Sequence, residues 1–169
     1  MKIAITGHTS GFGKTVYDRC SHLQVACVGF SRTNGYDITD AHARRQIVHM
    51  SQDCDVFINN AYDGYGQIDM LYDIYHAWHA QPKHIVTIGS YASNAAEWRL
   101  QPCKYSAVKR TLDTVTYQLV NSHNRAGCRL SILKPGYMGN GHPLSFESVG
   151  DRLIDLINQK QEIIEVVIL

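Results

Sequence analysis

Residues 6–15 read TGHTSGFGKT and follow the apolar run KIAI at 2–5. A short strand entering a glycine-rich turn and then a helix is a phosphate-binding layout. The first helical amides are free to donate, and the positive end of the helix dipole faces the anion. Two such loops end almost alike. One is G-x-x-x-x-G-K-[ST], and Gly13-Lys14-Thr15 supply its end. Five positions before Gly13, however, stands His8, and Gly7 comes one residue too early. The extra residue changes the curvature of the amide nest. That loop also needs a strand ending in Asp to hold magnesium. Here DVFINNA (55–61) carries its Asp at the start, and HIVTIGS (84–90) ends in Ser. The other loop fits. Gly7, Gly11 and Gly13 make T-G-x-x-x-G-x-G. One glycine serves the tight turn, one the backbone's approach to a pyrophosphate, and one close helix–strand packing.

Outward from this loop the chain alternates. Strands are expected at KIAIT, VACVGFS, DVFINNA, HIVTIGS, RLSIL (stopped by Pro135-Gly136) and IIEVVIL. Helices are expected at 11–23, at DAHARRQIVHMS behind an Asp40 cap, at QIDMLYDIYHAWHA, at KYSAVKRTLDTVTYQLVNSH and at FESVGDRLIDLINQ. Such alternation of nearly continuous apolar strands with helices implies a parallel sheet covered on both faces. The expected fold is therefore α/β, a Rossmann-type doubly wound sheet in three layers, with residues 1–169 as one dinucleotide-binding domain. The irregular stretch GYMGNGHPLSF (136–146) reads as a loop within it.

Composition agrees. The chain is 44% hydrophobic and 18% charged, with a net charge of +1. That balance gives no general attraction to nucleic acid or an anionic membrane. No apolar run approaches the roughly 20 residues of a membrane span, and the start lacks a signal-peptide pattern. Five cysteines, an odd number with no C-x-x-C pair, argue for reduced, buried thiols in a cytoplasmic protein.

Further stretches stand in a telling order: NNAY at 59–62, Ser90 closing TIGS, YSAVK at 105–109, and PGYM at 135–138. Together with the glycine loop, this set resembles the short-chain dehydrogenase/reductase family over essentially the whole chain. The chemistry accounts for one spacing directly. Tyr105 and Lys109 are four apart and share a helix face. An ammonium there favours a phenolate, as a general acid–base tyrosine requires.

The resemblance implies hydride transfer between NADP(H) and a small carbonyl or alcohol substrate. Tyr105 would be the acid/base, Lys109 would also hold the nicotinamide ribose, and Ser90 would stabilise the substrate oxygen. It implies cofactor contacts from Gly7, Thr9, Ser10, Gly11, Phe12, Gly13, Ser31, Arg32, Asp37, Asn60, Ala61, Tyr105, Lys109, Pro135 and Gly136. FSRT (30–33) lacks the acidic residue of NAD-preferring members, and Arg32 can pair with a 2′-phosphate. NADP is thus expected, with NAD as the alternative. Asp37 matches the acidic residue placed near the adenine.

The chain departs from the family in length. Only TNGY separates Arg32 from Asp37, so the second crossover helix is missing and the third strand reduced. The insertion that covers the substrate is essentially gone, leaving an open cleft. Tyr62 replaces the usual glycine; it and Tyr65 stand either toward the site or on the surface. The usual relay Asn in the helix before the Ser strand is absent. Gln67 and Asp69 lie roughly there without an assigned role, which implies a weaker proton relay. A dinucleotide-binding or regulatory protein without turnover therefore stays open beside the enzyme.

Two features remain. His76 and His79 lie three apart on a helix with His84 nearby, but nothing makes a third ligand converge on the pair, so no metal site is expected. The apolar stripe Met70, Leu71, Ile74, Trp78 suits either core or a subunit interface, and the apolar last strand suits burial in a homodimer or homotetramer.

Overall fold

A computed structural model describes residues 1–94, 103–122, 127–139 and 141–169. Six strands form one parallel sheet: β1 (Lys2–Thr6), β2 (Ala26–Phe30), β3 (Val56–Asn59), β4 (His84–Ile88), β5 (Arg129–Pro135) and β6 (Glu165–Ile168). Their order in space is β2-β1-β3-β4-β5-β6. Between them run α1 (Gly11–His22), α2 (Ala41–Met50), α3 (Gly66–Trp78), α4 (Lys104–Val120) and α5 (Phe146–Asn158). This is the Rossmann-type arrangement expected from the alternation.

The strand periodicity sorts the core into two halves. Side chains alternate between faces along a strand. Ala4, Phe57, Ile85 and Leu130 pack with α2, α3 and α4 on one face. Ile3, Ile5, Val56, Ile58, Val86 and Leu133 pack with α1 and α5 on the other. The stripe Met70, Leu71, Ile74 and Trp78 is fully buried, so it belongs to the core and is not an interface. Trp78 meets Phe57 edge-on, with ring centroids 6.1 Å apart.

Local chemistry sets the element ends. Asp40 caps α2 as expected, its carboxylate accepting from the amides of His42 and Ala43 at 2.9 and 3.3 Å. Ser145 caps α5 through Ser148 N–H at 3.0 Å. β5 runs two residues past RLSIL, to Pro135. A proline at a strand's last position removes no needed donor, and Gly136 N–H takes the next bond, to Ile168 O at 2.8 Å. The stretch expected to hold a reduced third strand holds one 3-10 turn, Arg32–Asn34, closed by Gly35 at φ 91°. β2 is therefore one edge of the sheet and β6 the other. The expected helix over 104–123 ends at Val120, and His123 lies outside the described residues. Among the described residues, no helix is long and apolar enough to cross a membrane.

Candidate active site

All six strands point the same way, so their carboxyl ends share one edge of the sheet. The order reverses between β1 and β3, and open α/β sheets take ligands at that point. The glycine turn after β1 sits there. Gly7 has φ 74°. At Gly13, an added Cβ would fall 2.1 Å from Gly7 O, so α1 approaches the strand end only because position 13 has no side chain. No side chain caps the first turn of α1, and that turn contains no acidic residue. Its amides are thus available to an anion.

A cleft of about 540 Å³ opens on this turn. Of the residues singled out from the sequence, it brings together Gly7, Thr9, Ser10, Phe12, Gly13, Ser31, Arg32, Asp37, Asn60 and Ala61. Gly11, Pro135, Gly136, Ser90, Tyr105 and Lys109 are not part of its lining. Asn60 joins its two walls, donating through Nδ2 to Thr6 O at 3.0 Å. Thr6 Oγ1 accepts from the amides of Asn60 and Ala61 at 3.1 and 3.0 Å. Asp37 turns Oδ1 toward the amide and hydroxyl of Thr39 at 2.9 and 2.8 Å, and those bonds hold its carboxyl below the usual carboxylate range.

Arg32 is not free at the cleft mouth. Its Nη1 lies 3.2 Å from Asp63 Oδ2, across from it on the loop after β3. The sequence places no carboxylate beside Arg32; the fold brings one from 31 residues away.

Tyr105 and Lys109 occupy successive turns of α4. Lys109 is buried, and its Nζ donates to Gln67 Oε1 at 2.8 Å and Ile88 O at 2.9 Å. Burial pulls its pKa down from 10.5 to about 8, partly opposed by Asp113. Tyr105 is half-exposed, its ring centroid 5.7 Å from that ammonium nitrogen. No described residue bonds its hydroxyl. Ser90 follows the end of β4, and its Oγ accepts from Ala92 N–H at 3.2 Å within its own turn.

Sequence reasoning left Gln67 without a role, and the structure gives it one as a buried clamp. Gln67 is buried, and its Nε2 donates to Asn59 O at 2.8 Å and Ile88 O at 3.0 Å while Oε1 receives Lys109. It therefore ties β3, β4 and α4 together. The available signal was a polar residue in helical register with Leu71, Ile74 and Trp78, on a face otherwise apolar. A second missed feature is the buried pair Lys134–Asp113, at 2.8 Å, with Glu165 Oε2 3.4 Å from the same ammonium. Tyr62 leans toward the site, its ring 5.0 Å from that of Tyr105, whereas Tyr65 is exposed. Of the five free cysteines, Cys103 is exposed, contrary to the expectation of buried thiols, because it starts α4 at the surface. No cluster of metal-ligating side chains occurs among the described residues.

No family model matches the chain, and no curated protein matches it by sequence. Solved structures do match in shape. Serine dehydrogenase from Escherichia coli superposes with a TM-score of 0.76 at 17% identity, over 99% of this chain and 97% of that one. The 3-ketoacyl-(acyl-carrier-protein) reductase from Brucella melitensis, solved with NADH, gives 0.79 at 18% identity over 98% and 96%. A short-chain dehydrogenase from Burkholderia cenocepacia, solved with NADP, gives 0.79 at 14% over 99% and 95%. The chain thus has, over its full length, the fold of the short-chain dehydrogenases/reductases.

Proposed function

We propose that the protein is an NADP(H)-dependent oxidoreductase of short-chain dehydrogenase type, interconverting a small carbonyl compound and its alcohol. The observation that carries this reading is a buried lysine, Lys109, held by Gln67 and Ile88 one turn from a half-exposed tyrosine, Tyr105. Burying an ammonium is costly, and a solvated helix pair needs no such arrangement.

The uncapped amides at the start of α1 suit a pyrophosphate, and Arg32 suits a 2′-phosphate. Asp37, which lines the same cleft, would face the adenosine end. The dinucleotide, when bound, supplies or accepts the hydride. Ser90 Oγ would hydrogen-bond the substrate oxygen and support its developing charge. Tyr105 would give its hydroxyl proton to that oxygen in reduction and take one back in oxidation. Lys109, as an ammonium, would stabilise the phenolate left behind and reach the nicotinamide ribose.

The test is titration of the protein with NADPH and NADH, followed by intrinsic fluorescence; Trp78 lies in the core, and Trp98 lies outside the described residues. The reading expects NADPH to bind more tightly. It also expects Tyr105→Phe to lose turnover on a carbonyl panel while still binding NADPH. Normal turnover by that variant would sink the assignment.

A second reading, a dinucleotide-binding protein without turnover, rests on the cleft, whose lining includes none of Ser90, Tyr105 and Lys109. Tight NADPH binding with silence across the panel would select it.

A further inference from the structure

Tyr62 both lines the cleft and touches the Tyr105–Lys109 pair. Its ring meets Tyr105 edge-on at 5.0 Å, with 73° between the planes. Lys109 Nζ lies 5.2 Å from the centroid of the same ring. Tyr62 lines the cleft together with the glycine turn, Arg32 and Asp37, and neither Tyr105 nor Lys109 reaches its lining. The ring therefore stands between the space open to a ligand and the two groups with the chemistry.

The surroundings leave that ring free to turn. Ala61, before it, is tied to Thr6 Oγ1 through its amide at 3.0 Å. After it, Gly66 N–H closes a turn onto Asp63 O at 3.0 Å, with Gly64 at φ 54°. The backbone on either side is pinned, while the side chain is 41% exposed and held by an edge contact and a cation–π contact. Each is a weak interaction, and rotation about the side-chain bonds breaks both without moving the strand.

We propose that Tyr62 is a specificity-determining residue of this site. Its ring closes the cleft off from the Tyr105–Lys109 pair, so that the adenosine-phosphate half of a dinucleotide enters the cleft as it stands, whereas the remaining half reaches Tyr105 and Lys109 only after the ring has turned aside. This inference rests on the dinucleotide reading above. A side chain of this size thereby takes over, from inside the cleft, part of the shielding that a covering insertion would give.

The experiment is calorimetric titration of the full chain, Tyr62→Ala and Tyr62→Phe with two probes, NADPH and adenosine 2′,5′-bisphosphate. The quantity read is the affinity for NADPH relative to the bisphosphate. In Tyr62→Ala this ratio should rise about tenfold, the combined worth of two weak ring contacts. In Tyr62→Phe it should stay at the wild-type value, because the ring and not the hydroxyl does the closing. An unchanged or lower ratio in Tyr62→Ala overturns the proposal, since the ring would then be idle or a platform for the cofactor. So does a Tyr62→Phe that behaves like Tyr62→Ala. Wild type binding the bisphosphate while the ratio fails to move defeats this inference alone. Failure of all three proteins to bind either probe defeats the dinucleotide reading and this inference with it.

Discussion

Lys109 Nζ donates to Gln67 Oε1 at 2.8 Å, joining α4 to α3 in the interior behind the carboxyl edge of the sheet. The amide is fully engaged, because its nitrogen serves two carbonyls, Asn59 O and Ile88 O. Gln67 is therefore a positioning residue for Lys109. Gln67→Ala should destabilise the fold by about 2–4 kcal/mol, since buried partners lose their bonds together. Urea denaturation measures it. A loss below about 0.5 kcal/mol, the usual range of an idle surface site, would show that the clamp is not needed.

Lys109 is protonated below about pH 8 and neutral above it. If its charge serves the cofactor, NADPH affinity should weaken as pH rises through about 8, and Lys109→Met should lack that step. The stability sign is opposite. Between about 8 and 10.5 the unfolded chain binds the proton and the folded one does not. The charge therefore weighs on the fold below that window, and the penalty fades as pH rises across it. Titrations from pH 6.5 to 9.5 check the binding step.

Asp63 holds Arg32, the guanidinium proposed above for a 2′-phosphate. Asp63→Asn should tighten NADPH binding about two- to fivefold and leave NADH nearly unaffected, in keeping with the small worth of an exposed ion pair. Equal changes for both cofactors would disconnect Arg32 from the 2′ position.

His84 sits in the core, its Nε2 2.9 Å from Ser131 Oγ, and burial lowers its pKa to about 4. Unfolded, it titrates near 6.5. The unfolded chain thus takes up the proton first, so stability should fall as pH drops from 6.5 through 4. His84→Gln should show a flatter acid limb in thermal melts; an identical limb would place the acid sensitivity elsewhere.

β6 is an edge strand, with Val167 exposed in it and Leu169 exposed just after it. We propose that a second copy covers this edge, because unpaired strand edges invite partners. Sedimentation at micromolar concentration should show a dimer or tetramer; a clean 19.0 kDa monomer would refute it.

Two kinds of information built this molecule. Local pattern was enough for the order of the elements. Continuous apolar strand runs, helical apolar spacing, the Asp40 cap and the spacing of Gly7, Gly11 and Gly13 are written in neighbouring residues, and each obeys short-range physics. Gly13 is the clearest case, because a backbone approach of this kind tolerates no Cβ. The pairing of Tyr105 with Lys109 on one helix face is equally local. What tertiary structure decided were meetings between residues far apart in the chain. Asp63 reaches Arg32, Gln67 holds Lys109, Asp113 meets Lys134, and Tyr62 meets Tyr105 edge-on. None of these follows from spacing along one element. A buried polar group must find its partner wherever the packed strand ends and helices place it, and only the assembled sheet determines where that is.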